Sequence, residues 1–126
     1  MKIAALVIGI DGWEQYTRPL IESIQAHEPN CMVVVVVDNA SAAPYPAGPI
    51  IHRTPRLCHS AAINLAHDIA GPADWYIVLS NDVLCAGPFA HILAGLAADC
   101  IAGPCLKETH GYSYLEGWCV AIPSPV

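Results

Sequence analysis

Val33-Val34-Val35-Val36-Val37-Asp38-Asn39-Ala40-Ser41 decides how the rest of this chain is read. β-Branched side chains suit a pleated sheet, and an unbroken apolar run has no face turned to water. The five valines therefore form a strand buried on both sides. Such a strand belongs inside a parallel sheet with helices packed on it. The run then stops at a carboxylate, an amide and, two residues on, a hydroxyl. In open α/β sheets small ligands bind just past the carboxyl ends of the central strands, which makes Asp38 and Asn39 candidate binding residues. The same two residue types also turn a chain by bonding its backbone, and that reading stands beside the first.

At 126 residues the chain, 1–126, is read as a single domain with enough material for a core. Its 55% apolar and 13% charged content suits a core-rich α/β unit, or one with a partner surface to cover. The formal charge is −6, and the five basic residues, Lys2, Arg18, Arg53, Arg56 and Lys107, are scattered. Nucleic-acid backbones attract basic stripes, so no nucleic-acid partner is expected. The six cysteines include no CxxC pair, so neither a zinc ribbon nor a thioredoxin-like site is indicated. Several lie in apolar runs, and they are read as reduced thiols of a cytoplasmic protein. Residues 2–10 resemble a short leader, but Asp11 and Glu14 follow at once without a small-residue cleavage site, so a first strand is expected. No apolar run reaches the length of a transmembrane segment.

Working outward from the valines, residues 2–10 form the other central strand, closed by Asp11-Gly12. Between the two strands, 14–27 turns helical, with Leu20, Ile21 and Ile24 on one face. Pro19 fits near the start of that helix, where its missing N–H is no loss. Strand, helix, strand in this order implies a right-handed parallel crossover. Beyond the valines, Pro44, Pro46, Gly48 and Pro49 keep 39–49 irregular, and 50–52 forms a short third strand. Arg53-Thr54-Pro55-Arg56 leads into a helix over 57–69, whose Ala61, Ala62, Leu65 and Ala66 make a small-residue face. Gly71-Pro72 breaks it, and 75–79 is the next buried strand, ending in Ser80-Asn81-Asp82. A helix over 88–98 with Phe89, Ile92, Leu93 and Leu96 inward follows. A strand start at 100–102, a polar loop over 107–112 and a last strand over 114–122 complete the chain.

Parallel strands place Asp11, Asp38-Asn39 and Ser80-Asn81-Asp82 on one edge of the sheet. Such a rim suits a base, a ribose and a metal better than a bare phosphate. Mg²⁺ or Mn²⁺ needs only one or two carboxylates when a diphosphate supplies the remaining oxygens.

With these residues in place, the chain resembles the family 2 glycosyltransferases of the GT-A nucleotide-sugar fold. The resemblance rests on Ile8-Gly9-Ile10-Asp11, on Val36-Val37-Asp38-Asn39-Ala40-Ser41 and on Ala62-Ile63-Asn64. It continues in Leu79-Ser80-Asn81-Asp82-Val83 and in Gly117-Trp118-Cys119-Val120-Ala121-Ile122-Pro123, in the family's order and over nearly the whole chain. It implies a three-layer αβα architecture around a central, mostly parallel, Rossmann-like sheet. It also implies a glycosyltransferase, inverting as is usual in the family, that moves a sugar from a nucleotide-diphosphate donor to an acceptor hydroxyl of a glycan, lipid or protein. Asp38 would accept hydrogen bonds from the donor's nucleobase, with backbone at Gly9 lining the same pocket and Asp11 beside it at the base or ribose. Asn39 and Asn81 would lie on the same donor-binding rim, and Asn64 would shape the floor of the site. Asp82 matches the last acid of the family's Asp-x-Asp metal motif and would hold Mn²⁺ or Mg²⁺ against the diphosphate, offsetting charge on the leaving group.

The chain departs from the family pattern in three places. Ser80 replaces the first acid of the metal motif. Ile63 stands where the family often has an arginine, leaving Arg56 as the residue that would compensate as a phosphate contact. The chain also ends three residues after Pro123, short of the acidic motif that usually supplies the general base; Glu116, the carboxylate near Trp118, is the candidate catalytic proton acceptor, a reading set beside that of a solvent-facing strand residue. On this reading the chain is the donor-binding half of an enzyme. Two other functions stay open: a non-catalytic nucleotide-sugar-binding module, and a domain that covers an apolar face by forming a homo-oligomer.

Overall fold

The valine run takes the inner position that its composition demands. In the computed structural model, β1 (Ile3–Gly9) is followed by a π-helical turn (Trp13–Thr17) and α1 (Arg18–His27). Next come β2 (Met32–Asn39), β3 (Ile51–Thr54), α2 (His59–Ala70) and β4 (Trp75–Ser80). The short α3 (Ala90–Ala94) precedes β5 (Leu106–Thr109), β6 (Tyr112–Leu115) and β7 (Cys119–Pro123). The structure describes residues 1–30, 32–97, 99–103, 106–109, 112–115 and 119–124, with 106–109 and 112–115 described by backbone alone.

Five strands form one sheet in the order β3-β2-β1-β4-β7. The first four are parallel, and β7 pairs antiparallel with β4. The chain is therefore an α/β fold around a mixed, mostly parallel sheet. Every residue of β1 is buried, as expected of a strand covered on both faces. Its side chains alternate with the period of two of a strand. Ile3, Ala5 and Val7 pack with Leu20, Ile21 and Ile24 of α1 and with Leu93 of α3. Ala4, Leu6 and Ile8 pack with Val35, Val37 and Ala62, Ala66 and Ala70 of α2. No helix among the described residues is long and apolar enough to cross a membrane.

Several predicted boundaries move. The strand expected over 31–37 runs on to Asn39, so Asp38 and Asn39 lie inside the sheet rather than beyond it. The third strand, expected over 50–52, carries Arg53 and Thr54 into register opposite Asp38 and Asn39. The first helix opens as a π-helical turn, because the amides of Tyr16 and Thr17 both reach the Gly12 carbonyl, at 2.9 and 3.4 Å. Pro19 does sit in the first turn of α1. The helix expected over 88–98 shrinks to Ala90–Ala94 and stops at Gly95, a weak helix former. Within it Leu93 is buried and Ile92 exposed, and Leu96, beyond its end, is exposed as well. The start of a strand at 100–102 is only an isolated bridge from Ala102 to Ala121. Of the polar loop expected over 107–112, 107–109 and 112 belong instead to an antiparallel pair, β5 with β6, a partnership too short to imprint a periodicity, and His110 and Gly111 lie outside the described residues. The expected last strand over 114–122 corresponds to the end of β6 and to β7. Glu116, Gly117 and Trp118 lie outside the described residues.

Candidate ligand site at the strand-end edge

The strand order places a reversal at β1. The chain goes from β1 outward to β2 and β3, then returns to lay β4 on the other side of β1. In parallel sheets the crevice at such a reversal, past the carboxyl ends, is where ligands bind. Asp11 and Gly12 follow β1 there, and Asn81 and Asp82 follow β4.

Asp38 does not face that crevice freely. It is 0% exposed, and its carboxylate is bonded by its own neighbourhood. Oδ1 accepts from the Ser41 amide at 2.9 Å, while Oδ2 accepts from the Tyr45 amide at 3.0 Å and from Arg53 Nη1 at 2.8 Å. Arg53 Nη2 also donates to the Ser41 carbonyl at 3.0 Å. Burial alone would raise the Asp38 carboxyl, but the hydrogen bonds from Ser41 and Tyr45, with Arg53 beside it, hold it below the usual carboxylate range. This is the turn-forming reading of Asp38 made concrete: its charge pins the segment 41–45 and the third strand to the second. Asn39 does the same one residue later. Its Oδ1 accepts from the Leu57 amide at 2.8 Å and its Nδ2 donates to the Leu57 carbonyl at 3.0 Å, which fixes the approach to α2.

Tyr45, a residue the sequence reading passed over, is the hub of the edge. Its ring lies over Gly9, where an added Cβ would clash with the Tyr45 hydroxyl and force the ring aside. Trp13 packs on it with ring centroids 5.2 Å apart. The Tyr45 hydroxyl donates to the Asp11 carbonyl at 2.6 Å. Having one proton, it must accept from Thr17 Oγ1, 2.9 Å away. Thr17 Oγ1, fully buried, in turn accepts from Asn81 Nδ2 at 3.2 Å. A directed chain of hydrogen bonds thus runs from the end of β4 through the π-helical turn to the end of β1. The signal for Tyr45 was an aromatic set between Pro44 and Pro46 in an otherwise small-residue loop; nothing local marked Thr17 or Arg53.

The other predicted residues stand as follows. Asp11 is exposed, with a positive φ of 57°. Its amide donates to Ser41 Oγ at 2.7 Å and its Oδ1 accepts from the Ala42 amide at 2.8 Å. Asp82 is exposed and has no hydrogen-bond or ion-pair partner among the described residues. Arg56 is exposed on the approach to α2, likewise without a partner among the described residues. Asn64 is exposed on α2, opposite the buried Ala62–Ala66–Ala70 stripe, and makes no hydrogen bond among the described residues. Glu116 falls outside the described residues. No group of three or more His, Cys, Asp or Glu suited to a metal occurs among the described residues.

A hollow of about 420 Å³ opens at this edge, lined by Asp11, Trp13, Glu14, Pro44 and Pro46 among others. It joins an aromatic face to carboxylates, an arrangement suited to a planar ligand that donates hydrogen bonds. No protein-family model matches the chain, and no curated protein matches it.

Proposed function

We propose that this chain is the donor-binding domain of a glycosyltransferase with a three-layer, GT-A-like architecture. It moves a sugar from a nucleotide-diphosphate donor to an acceptor hydroxyl, with Mn²⁺ or Mg²⁺ as cofactor. The observation that carries the reading is the reversal of strand order at β1, with Asp11 on one side of the crevice and Asp82 on the other. In this reading the hollow beside Trp13 takes the base and Asp11 accepts from a ribose hydroxyl, while Glu14, paired with Arg18 at 2.7 Å, lines the wall. Asp38 has a positioning role in this reading, holding the segment 41–45 that supplies the hollow's far wall.

The exposed, unpaired Asp82 fits a metal bound by a single protein carboxylate, with the donor diphosphate completing the shell. Such an ion supplies neutralisation of the departing diphosphate. Free thiols at Cys58, Cys85, Cys100 and Cys119 are in keeping with a reducing, cytoplasmic setting.

Calorimetric titration with UDP-, TDP- and GDP-sugars, with and without Mn²⁺, tests the proposal. One nucleotide class is expected to bind, and more tightly with the metal. Absence of heat from every nucleotide overturns it. Donor hydrolysis or transfer that is lost in Asp82→Ala, with the melting curve unchanged, selects an enzyme over a binding-only module.

A further inference from the structure

The five-stranded sheet has two outer edges, and they are finished differently. On the β7 side the chain covers part of its own edge: the Ala102 amide donates to the Ala121 carbonyl at 2.9 Å, and the Ala121 amide to the Ala102 carbonyl at 2.7 Å. On the other side β3 is shorter than the strand it covers. β2 pairs with β1 over 32–38, but β3 lies against β2 only over 36–39. The chain enters β3 through a turn, with the Ile51 amide donating to the Gly48 carbonyl at 3.1 Å, instead of running on beside 32–35.

Half of the valine strand is thereby left with an open ladder. The Val36 amide donates outward to the Ile50 carbonyl at 2.8 Å, which fixes the side to which the even-numbered residues of β2 turn their main-chain groups. Those groups alternate along a strand, so Met32 and Val34 each turn an N–H and a C=O the same way. Neither residue has a partner on that side among the described residues. Val33, between them, is 37% exposed. Edges are usually blunted by a proline, a lysine or a bulge, and 32–35 carries none of these. Glu28, the last charged residue before the strand, turns its carboxylate to the Phe89 and Ala90 amides.

We infer that this open edge pairs with the same edge of a second copy of the chain, antiparallel about a two-fold axis at Val33. With Val33 opposite the partner's Val33, Met32 lies opposite the partner's Val34, and Val34 opposite the partner's Met32. Each of these two couples exchanges a pair of N–H···O=C bonds, so four bonds satisfy every open group of 32–34. The two valines at the axis take the non-hydrogen-bonded position, where side chains approach closely and β-branched pairs stabilise a sheet. This is the isologous contact of a closed dimer. A peptide from another protein fits the edge less well. Strand addition takes its specificity from side-chain pockets, and Val34 and Val35 turn into this chain's own core. Four bonds and one apolar pair make less than a standard interface, so association is expected at about 0.1–1 mM chain. Asp11, Asp82 and the hollow beside Trp13 lie at the opposite end of the strands, so the pairing is independent of the transferase reading.

Sedimentation equilibrium of the full chain over that range, with amide hydrogen exchange followed at Met32 and Val34, tests the inference. A monomer–dimer equilibrium is expected, and exchange at both amides should slow as the chain concentration rises. Val33→Lys changes an exposed position and sets two like charges across the axis, so it should weaken association about tenfold or more. Ile122→Lys, on the opposite edge strand, should associate as the native chain does. A chain that stays monomeric throughout overturns the inference. So does association that survives Val33→Lys, that is lost in Ile122→Lys, or that leaves exchange at Val34 unchanged.

Discussion

At the end of β2 the chain's own donors surround a carboxylate, whereas on the other side of β1, at the end of β4, a carboxylate stands exposed with no partner among the described residues. Asp38 and Asp82 are the same chemical group on the same edge of one sheet. Burying a charge is costly unless it is paired and hydrogen-bonded, and Asp38 is both. Its bonds commit it to shaping the chain. Asp82, making none among the described residues, contributes little to the fold and stays open to solvent. Sequence position alone gives the two equal standing; solvent access separates them.

Substitutions along the edge should grade accordingly. Asp38→Ala strips the Ser41 and Tyr45 amides and Arg53 of their acceptor and is expected to cost about 3 kcal/mol, read from urea unfolding. The pH dependence has a definite sign. Because the folded carboxyl titrates below the unfolded value of about 3.9, its stabilisation is complete above that value. It is lost as pH falls through the folded value, and Asp38→Asn should flatten this acid limb of the urea midpoint. Gly9→Ala drives a methyl into the Tyr45 hydroxyl, and overpacking of this kind costs about 2 kcal/mol, visible as a lower melting temperature and altered Trp13 fluorescence. Thr17→Val removes the middle of the hydrogen-bond chain and should cost about 1 kcal/mol by the same urea assay. Asp82→Ala should leave stability within about 0.5 kcal/mol of native while lowering metal-dependent nucleotide affinity in the calorimeter. A large loss of stability there would erase the contrast between the two ends.

Much of the fold was legible because its central strands are unbroken apolar runs. The valines of β2 and the apolar run of β1 need no tertiary context to be read as buried strands, and Gly71-Pro72 marks the end of α2 by its chemistry. The strand-end rim followed from those strands. What stayed hidden depends on partners distant in sequence. Arg53 becomes a partner of Asp38 only through the register of β3 with β2. Tyr45 becomes a hub only because Gly9, thirty-six positions earlier, leaves room for it. The β5–β6 pairing was hidden for the same reason: Lys107-Glu108-Thr109 reads as a polar loop until it is seen beside Tyr112–Leu115.

Thr17 and Tyr45 together decide which way Asn81 points. Since a main-chain carbonyl has no hydrogen to give, the nitrogen of the Asn81 amide is turned inward and its oxygen is left for the solvent side. That oxygen stands next to the Asp82 carboxylate in the chain. This corner of the protein therefore presents lone pairs rather than protons: it can welcome a cation or a sugar hydroxyl, and it repels an anion that arrives without its counter-ion.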